Sequence, residues 1–314
     1  TYKHMAKNNS AKYAFFYVLS LVALVFMSVS VGIIFFQIIN KEFIDLINEY
    51  SGNYSDEAMK FAISSIIISA PIYYFTSKQI YKSLRQGKLD EEAGVRKWFT
   101  YLILLVSVIV MIIWLITTIN GFLSGELTTK AILKAIVALL ISGITFSFYL
   151  YDIKREHIKG KKDKIIQIYF YGSIIIVLGA FIFSLFVVES PAETRNRKLD
   201  DRIINNFYEI AAGVNNYYQM NNKLPINIEE LNEDSTYLRD DDFINPITKE
   251  AYEYKVVDED EYELCTTFRY SNLEEEKDEY DYYADKMWLH DAGYQCLKQK
   301  VEDIDIMNKP MLIR

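Results

Sequence analysis

The sequence predicts a multi-pass α-helical membrane domain of five transmembrane helices, followed by a small α+β domain outside the membrane. Three observations predict it. Five long apolar runs fill much of the first 189 residues, at about 13–39, 58–77, 98–119, 131–151 and 165–188. Lysines and arginines fall almost entirely in alternate gaps between those runs. The charge balance then reverses: residues 1–189 carry 19 Lys and Arg against 13 Asp and Glu, and residues 190–314 carry 15 against 29. The net charge of −8 therefore averages a membrane half at +6 and a soluble half at −14.

Each run is long enough to cross a hydrocarbon core of about 30 Å as a helix, which takes roughly 20 residues. The first run is too long for a signal-peptide core of about 7–15 residues, so a signal anchor is expected. It is followed by Phe43, Ile44, Leu46, Ile47 and Tyr50 at helical spacing, an amphipathic extension suited to the outer interface. The second run contains Pro71, where a kink is expected. The gap after it is basic, with Lys78, Lys82, Arg85, Lys88, Arg96 and Lys97, and reads as a short helical hairpin. The third gap holds only Glu126 and Lys130. Lys134 lies one turn inside the fourth helix and can snorkel. The fourth gap is basic again, with Lys154, Arg155, Lys159, Lys161, Lys162 and Lys164.

Lysine and arginine are retained on the cytoplasmic side. The N-terminus and both basic gaps are therefore expected inside, and everything after Val188 outside. The apolar runs hold no Asp, Glu, Lys, Arg or His between positions 61–77, 98–125, 135–151 and 165–188, nor in the first run. Ion-coupled transport is usually built on such residues, so their absence weighs against it. The remaining hydroxyls, among them Ser28, Ser107, Thr117, Thr118, Ser142, Thr145 and Ser173, suit helix–helix hydrogen bonds better than a conduction path.

Ser190-Pro191 breaks the fifth helix, and a helical pattern resumes at Arg195. Ile203, Ile204, Phe207, Ile210, Ala211, Val214, Tyr217 and Tyr218 form one apolar stripe. Residues 221–225 end that helix, 227–231 suggest one helical turn, and Asn245-Pro246 starts another turn. Segments 252–257 and 262–267 read as a β-hairpin across 258–261. Residues 274–285 form an acidic, tyrosine-rich loop, and 286–298 return to the sheet.

Cys265 and Cys296 both lie in the part placed outside. An even pair there suits one disulfide; two buried thiols are the alternative. The acidic runs 240–242 (Asp240, Asp241, Asp242), 258–261 (with Asp258 and Asp260) and 274–276 would suit calcium, though none matches an EF-hand, and solvated loops are the simpler reading. His4 and His157 read as surface. His290, between Trp288 and Asp291 in near sequence, lacks metal-ligand spacing to a partner. No P-loop, dinucleotide-binding or nucleophile-elbow pattern is present, so no catalytic residue and no cofactor beyond calcium is expected. The acidity of the outer part argues against nucleic acid. Its tyrosines divide between core and a contact surface.

Tyr217-Tyr218, Asn222, Leu224-Pro225, Glu230-Leu231, Asn245-Pro246-Ile247-Thr248 and Tyr252-Glu253-Tyr254 follow one another in an order that resembles the globular part of bacterial type II secretion pseudopilins and type IV pilin-like proteins. That family carries its hydrophobic helix at the very N-terminus with a glutamate just inside; here the helix is the fifth and has none. Residues 10–152 resemble bacterial multi-helix membrane domains of unknown function, through 16–21, 95–102 and 125–129. Topology, acidity, the pilin-like order and the lack of catalytic constellations together point to a non-enzymatic protein of the bacterial inner membrane that anchors a pilin-like domain outside. Its partners would be the lipid bilayer and either an envelope protein or a second copy; a transporter or channel subunit is the alternative.

Overall fold

The computed structural model describes residues 2–43, 53–90, 93–155, 160, 163–228, 230–231, 239–273 and 288–301, with backbone alone at 2–10 and 240. The expectations for 44–50, for His4, His157, Lys159, Lys161 and Lys162, and for the loop at 274–285 fall outside this description. The chain forms two compact units, Thr1–Val188 and Glu189–Arg314.

The first unit contains α1 (Tyr2–Glu42), α2 (Asp56–Arg85), α3 (Gly94–Leu123), α4 (Thr129–Lys154) and α5 (Lys164–Val187). All five are long and apolar enough to cross a membrane. Polar side chains cap the starts of α2, α4 and α5. Ser55 Oγ accepts the Ala58 N–H, Thr128 Oγ1 accepts that of Ala131, and Asp163 Oδ1 accepts that of Ile165. Pro71 lies inside α2, which continues through it as one helix. Helix α1 is the hub and touches the other four. Its Ala23, Leu24, Met27, Val31 and Ile34 are buried against Met59, Ala62, Ile66, Ala70 and Tyr73 of α2.

The outward faces are apolar. Leu105 and Ile116 of α3 are 58% and 61% exposed, and Ile175 and Phe186 of α5 are 70% and 83% exposed. Apolar surface on this scale has no stable contact with water, so the unit belongs in a membrane. Ser173 meets its expectation by accepting from Tyr74 of another helix, and other hydroxyls differ from theirs. Ser107, Thr117, Thr118, Ser142 and Thr145 bond back to the carbonyl four residues earlier at 2.7–2.9 Å. That satisfies a buried hydroxyl without any partner helix. Cross-helix bonds come mainly from tyrosines instead: Tyr73 to Tyr149, Tyr74 to Ser173 and Tyr169 to Ser147.

The second unit is an α+β arrangement with a three-stranded antiparallel sheet. Helix α6 (Pro191–Asn221) begins one turn before Arg195, where the helical pattern resumes in the sequence. Ser190 Oγ accepts the Glu193 N–H, and Glu193 accepts the Ser190 N–H at 2.8 Å, so a capping box starts the helix at the proline. Asn222 ends it in the left-handed region at φ 56°. Strands β1 (Glu253–Val256), β2 (Glu261–Phe268) and β3 (Gly293–Lys300) run in the order β1-β2-β3. The hairpin and the returning strand are as read from the sequence. Ile203, Phe207, Ile210 and Val214 of α6 are buried with Tyr262, Leu264 and Phe268 of β2, and with Trp288. Phe207 sits 5.0 Å from Tyr252 and 5.4 Å from Trp288, ring centre to ring centre. His290 belongs to this core: it is buried and stacked on Phe268 at 3.6 Å.

Candidate functional site

Strand alternation divides β2 into two faces, with Cys265 buried on the one away from the core. Tyr262, Leu264, Thr266 and Phe268 face the core, so Glu261, Glu263, Cys265 and Thr267 take the opposite face. On β3, Leu297 and Gln299 are buried, while Tyr294, Cys296, Lys298 and Lys300 are exposed. The pairing sets Cys265 directly opposite Cys296, with their Cα atoms 4.0 Å apart, and the two form a disulfide. Of the two sequence alternatives for the cysteines, the disulfide is the one present.

Around it lies a face of paired charges and one aromatic. Tyr294 donates its hydroxyl to Glu253 at 2.8 Å, and Lys255 pairs with the same carboxylate at 2.9 Å. The Lys255 hydrogen bond, then that of Tyr294, holds the Glu253 carboxyl below its usual range. Lys298 meets Glu261 at 2.5 Å and Lys300 meets Asp260 at 2.9 Å. The Tyr294 hydroxyl is also 3.9 Å from Cys296 Sγ. No element covers this face among the described residues.

The candidate calcium ligands go to separate local tasks. Asp242 is buried in the 3-10 turn Asp240–Phe243 and accepts the Arg239 N–H at 3.0 Å. Asp241 is exposed. Asp258 accepts the Glu259 N–H in the β1–β2 turn, and Asp260 is held by Lys300.

In the membrane unit, the two basic gaps meet at one end, where the Gly160 N–H bonds the Arg85 carbonyl at 3.0 Å. Lys78, Lys82, Arg85, Lys88, Lys154 and Lys164 are exposed there, and Lys97 is half-buried. Arg96, counted in the basic second gap, is buried. It is 2% exposed, and its guanidinium reaches the Asp152 carbonyl at 2.5 Å and carboxylate at 3.3 Å. Arg155 pairs with Asp152 and lies 3.7 Å from Asp163, which also accepts the Tyr151 hydroxyl at 2.9 Å. Arg155 covers the Tyr81 ring as well. Asp152 escaped the sequence reading because it lies one residue past the ion-free run. Its spacing of three to Arg155 was the available signal.

Among the described residues the helices leave several cavities, two of which adjoin. One, of about 110 Å³, is lined by Tyr73, Ser77, Tyr81, Tyr149 and Ser173 among others. The second, of about 420 Å³, is apolar and lies among α1, α3 and α4. They share Leu24, Ser28, Ile141 and Thr145.

Residues 13–148 match a family model described as a domain of unknown function (DUF5671). An uncharacterised domain thus occupies the N-terminal part, ending within α4. No curated protein and no solved structure matches the chain.

Proposed function

We propose that this chain is a non-enzymatic protein of the bacterial cytoplasmic membrane, whose second unit, pilin-like in the order of its elements, docks a basic-surfaced envelope protein on the outer side. The exposed sheet face carries this reading: it offers Tyr294 and the carboxylates of Glu253, Asp260, Glu261 and Glu263 among lysines, and residues 190–314 carry a net charge of −14. Tyrosines ringed by paired charges suit protein contact, and the acidity favours a basic partner over a second copy. The orientation rests on the basic ends gathered at Arg85 and Gly160, and on the disulfide, which persists in oxidising compartments.

A photo-crosslinking residue at Thr267 should give a discrete adduct in living cells, and one at Ile226 should not. The adduct should weaken as salt rises. An adduct of twice the chain mass would replace the partner with a second copy, and no adduct at Thr267 would overturn the docking role. An impermeant maleimide should label Ile226→Cys in intact spheroplasts; labelling only after lysis would reverse the topology. The adjoining cavities favour a second reading, a channel or transporter subunit. Purified protein with no conductance in a planar bilayer would remove its channel form.

A further inference from the structure

We propose that reduction of the Cys265–Cys296 disulfide turns the outer sheet face into a site for a thiophilic divalent cation such as zinc, with both thiolates and the Glu263 carboxylate as ligands. The proposal goes beyond partner docking, because metal binding needs no partner. Among the described residues, Glu263, Cys265 and Cys296 form the one group whose ligand atoms all lie within 4.8 Å of each other. The register makes the grouping. Glu263 precedes Cys265 by two positions and shares its face, and Cys296 stands opposite Cys265.

The distances fit the chemistry. Zinc binds thiolate at about 2.3 Å and carboxylate at about 2.0–2.2 Å in a tetrahedron, which sets the sulfurs roughly 3.8 Å apart. Strands whose Cα atoms are 4.0 Å apart at the cysteines reach that separation by side-chain rotation alone. Three protein ligands leave a fourth position open to water, the arrangement of exchangeable rather than closed sites.

The step balances with a dithiol as reductant. Its thiolate attacks Cys296 Sγ, which belongs to the exposed partner, while Cys265 is 1% exposed. The S–S bond breaks and Cys265 leaves as thiolate. The second thiolate of the dithiol then displaces Cys296 and closes the reductant's own disulfide. Two electrons pass to the protein, and the protons the dithiol lost go to solvent once the cation takes both thiolates.

The test uses the full chain in detergent, reduced with a phosphine that is then removed, and titrated with Co²⁺ as the zinc probe. The expected result is thiolate-to-cobalt charge-transfer absorption saturating at one equivalent, absent from the oxidised protein and from Cys296→Ser. Glu263→Gln should weaken binding about tenfold or more. A reduced chain that keeps its circular dichroism and shows no such absorption overturns the site. So does a Glu263→Gln titration that superimposes on the wild type, or loss of the sheet signal on reduction, because the site needs the β2–β3 pairing.

Discussion

Asp200 is a carboxylate placed where charge is costly, inside α6 and 4% exposed. It is tolerated because it accepts the N–H groups of Arg269, at 3.0 and 3.2 Å, and of Tyr270, at 2.9 Å. Those amides follow β2 directly, so one side chain fastens the helix to the end of the central strand. Asp200→Ala should remove the carboxylate partner of both N–H groups and cost about 1–3 kcal/mol, seen as faster hydrogen exchange at the β2 amides. Burial pushes the Asp200 carboxyl up, against the pull of the Arg269 and Tyr270 amides and of nearby His290 and Arg269. The folded state then holds its proton at a pH where the unfolded chain, with an ordinary value of about 3.9, has lost it. Stability from this group is full below that value and falls as pH rises through the raised folded value. Asp200→Asn should flatten that decline in pH-dependent unfolding of the full chain; an unchanged slope would remove Asp200 as its source.

At the scale of elements, the Arg96–Asp152–Arg155 cluster ties α3 to α4, and Asp163 extends it to the start of α5. Removing one partner of a buried pair costs about 3–5 kcal/mol because the other charge is stranded. The two ends differ. Arg96→Met leaves Asp152 with Arg155, whereas Asp152→Leu takes the carboxylate from Arg96 and Arg155 at once, leaving Arg155 only the longer contact to Asp163. Asp152→Leu should therefore lower the thermal midpoint in detergent more than Arg96→Met, and the double variant should recover part of the loss. Equal midpoints for the two single variants would show that the cluster does not act as a unit. Sequence shows the helices but not this clamp, for a physical reason. Hydropathy along the chain reports what each helix buries on average, and five helices long and apolar enough to span follow from it. Whether Arg96 meets water or Asp152, 56 residues on, depends on how α3 and α4 pack. The strands were legible because alternation in β2 is local, and Cys265 could be counted. That it faces Cys296 depends on the register of β3, which no local pattern states.

Across the whole molecule, the two units meet different solvents and are held by different forces. The membrane unit exposes apolar faces that the bilayer satisfies, so its helices need bury only the stripe around α1. The second unit has a small core of α6 against three strands, and a core of that size supplies limited stability in water. The disulfide fills part of the gap by shortening the unfolded chain. Its cysteines are 31 residues apart, and closing such a loop stabilises by about 3–4 kcal/mol in the chain-entropy account. The gain belongs to one unit alone, since both cysteines and the segment between them lie after Val188. Replacing both cysteines by alanine should therefore lower a transition followed through hydrogen exchange in β2 and α6, while exchange in α1 and α2 stays as in the wild type. Cys265 is buried and Cys296 exposed, so Cys265→Ala should leave the larger packing defect of the two single variants. Should the double variant match the wild type in β2 exchange, the bond would be dispensable for the fold, and its place on the open sheet face would have to be explained by chemistry alone.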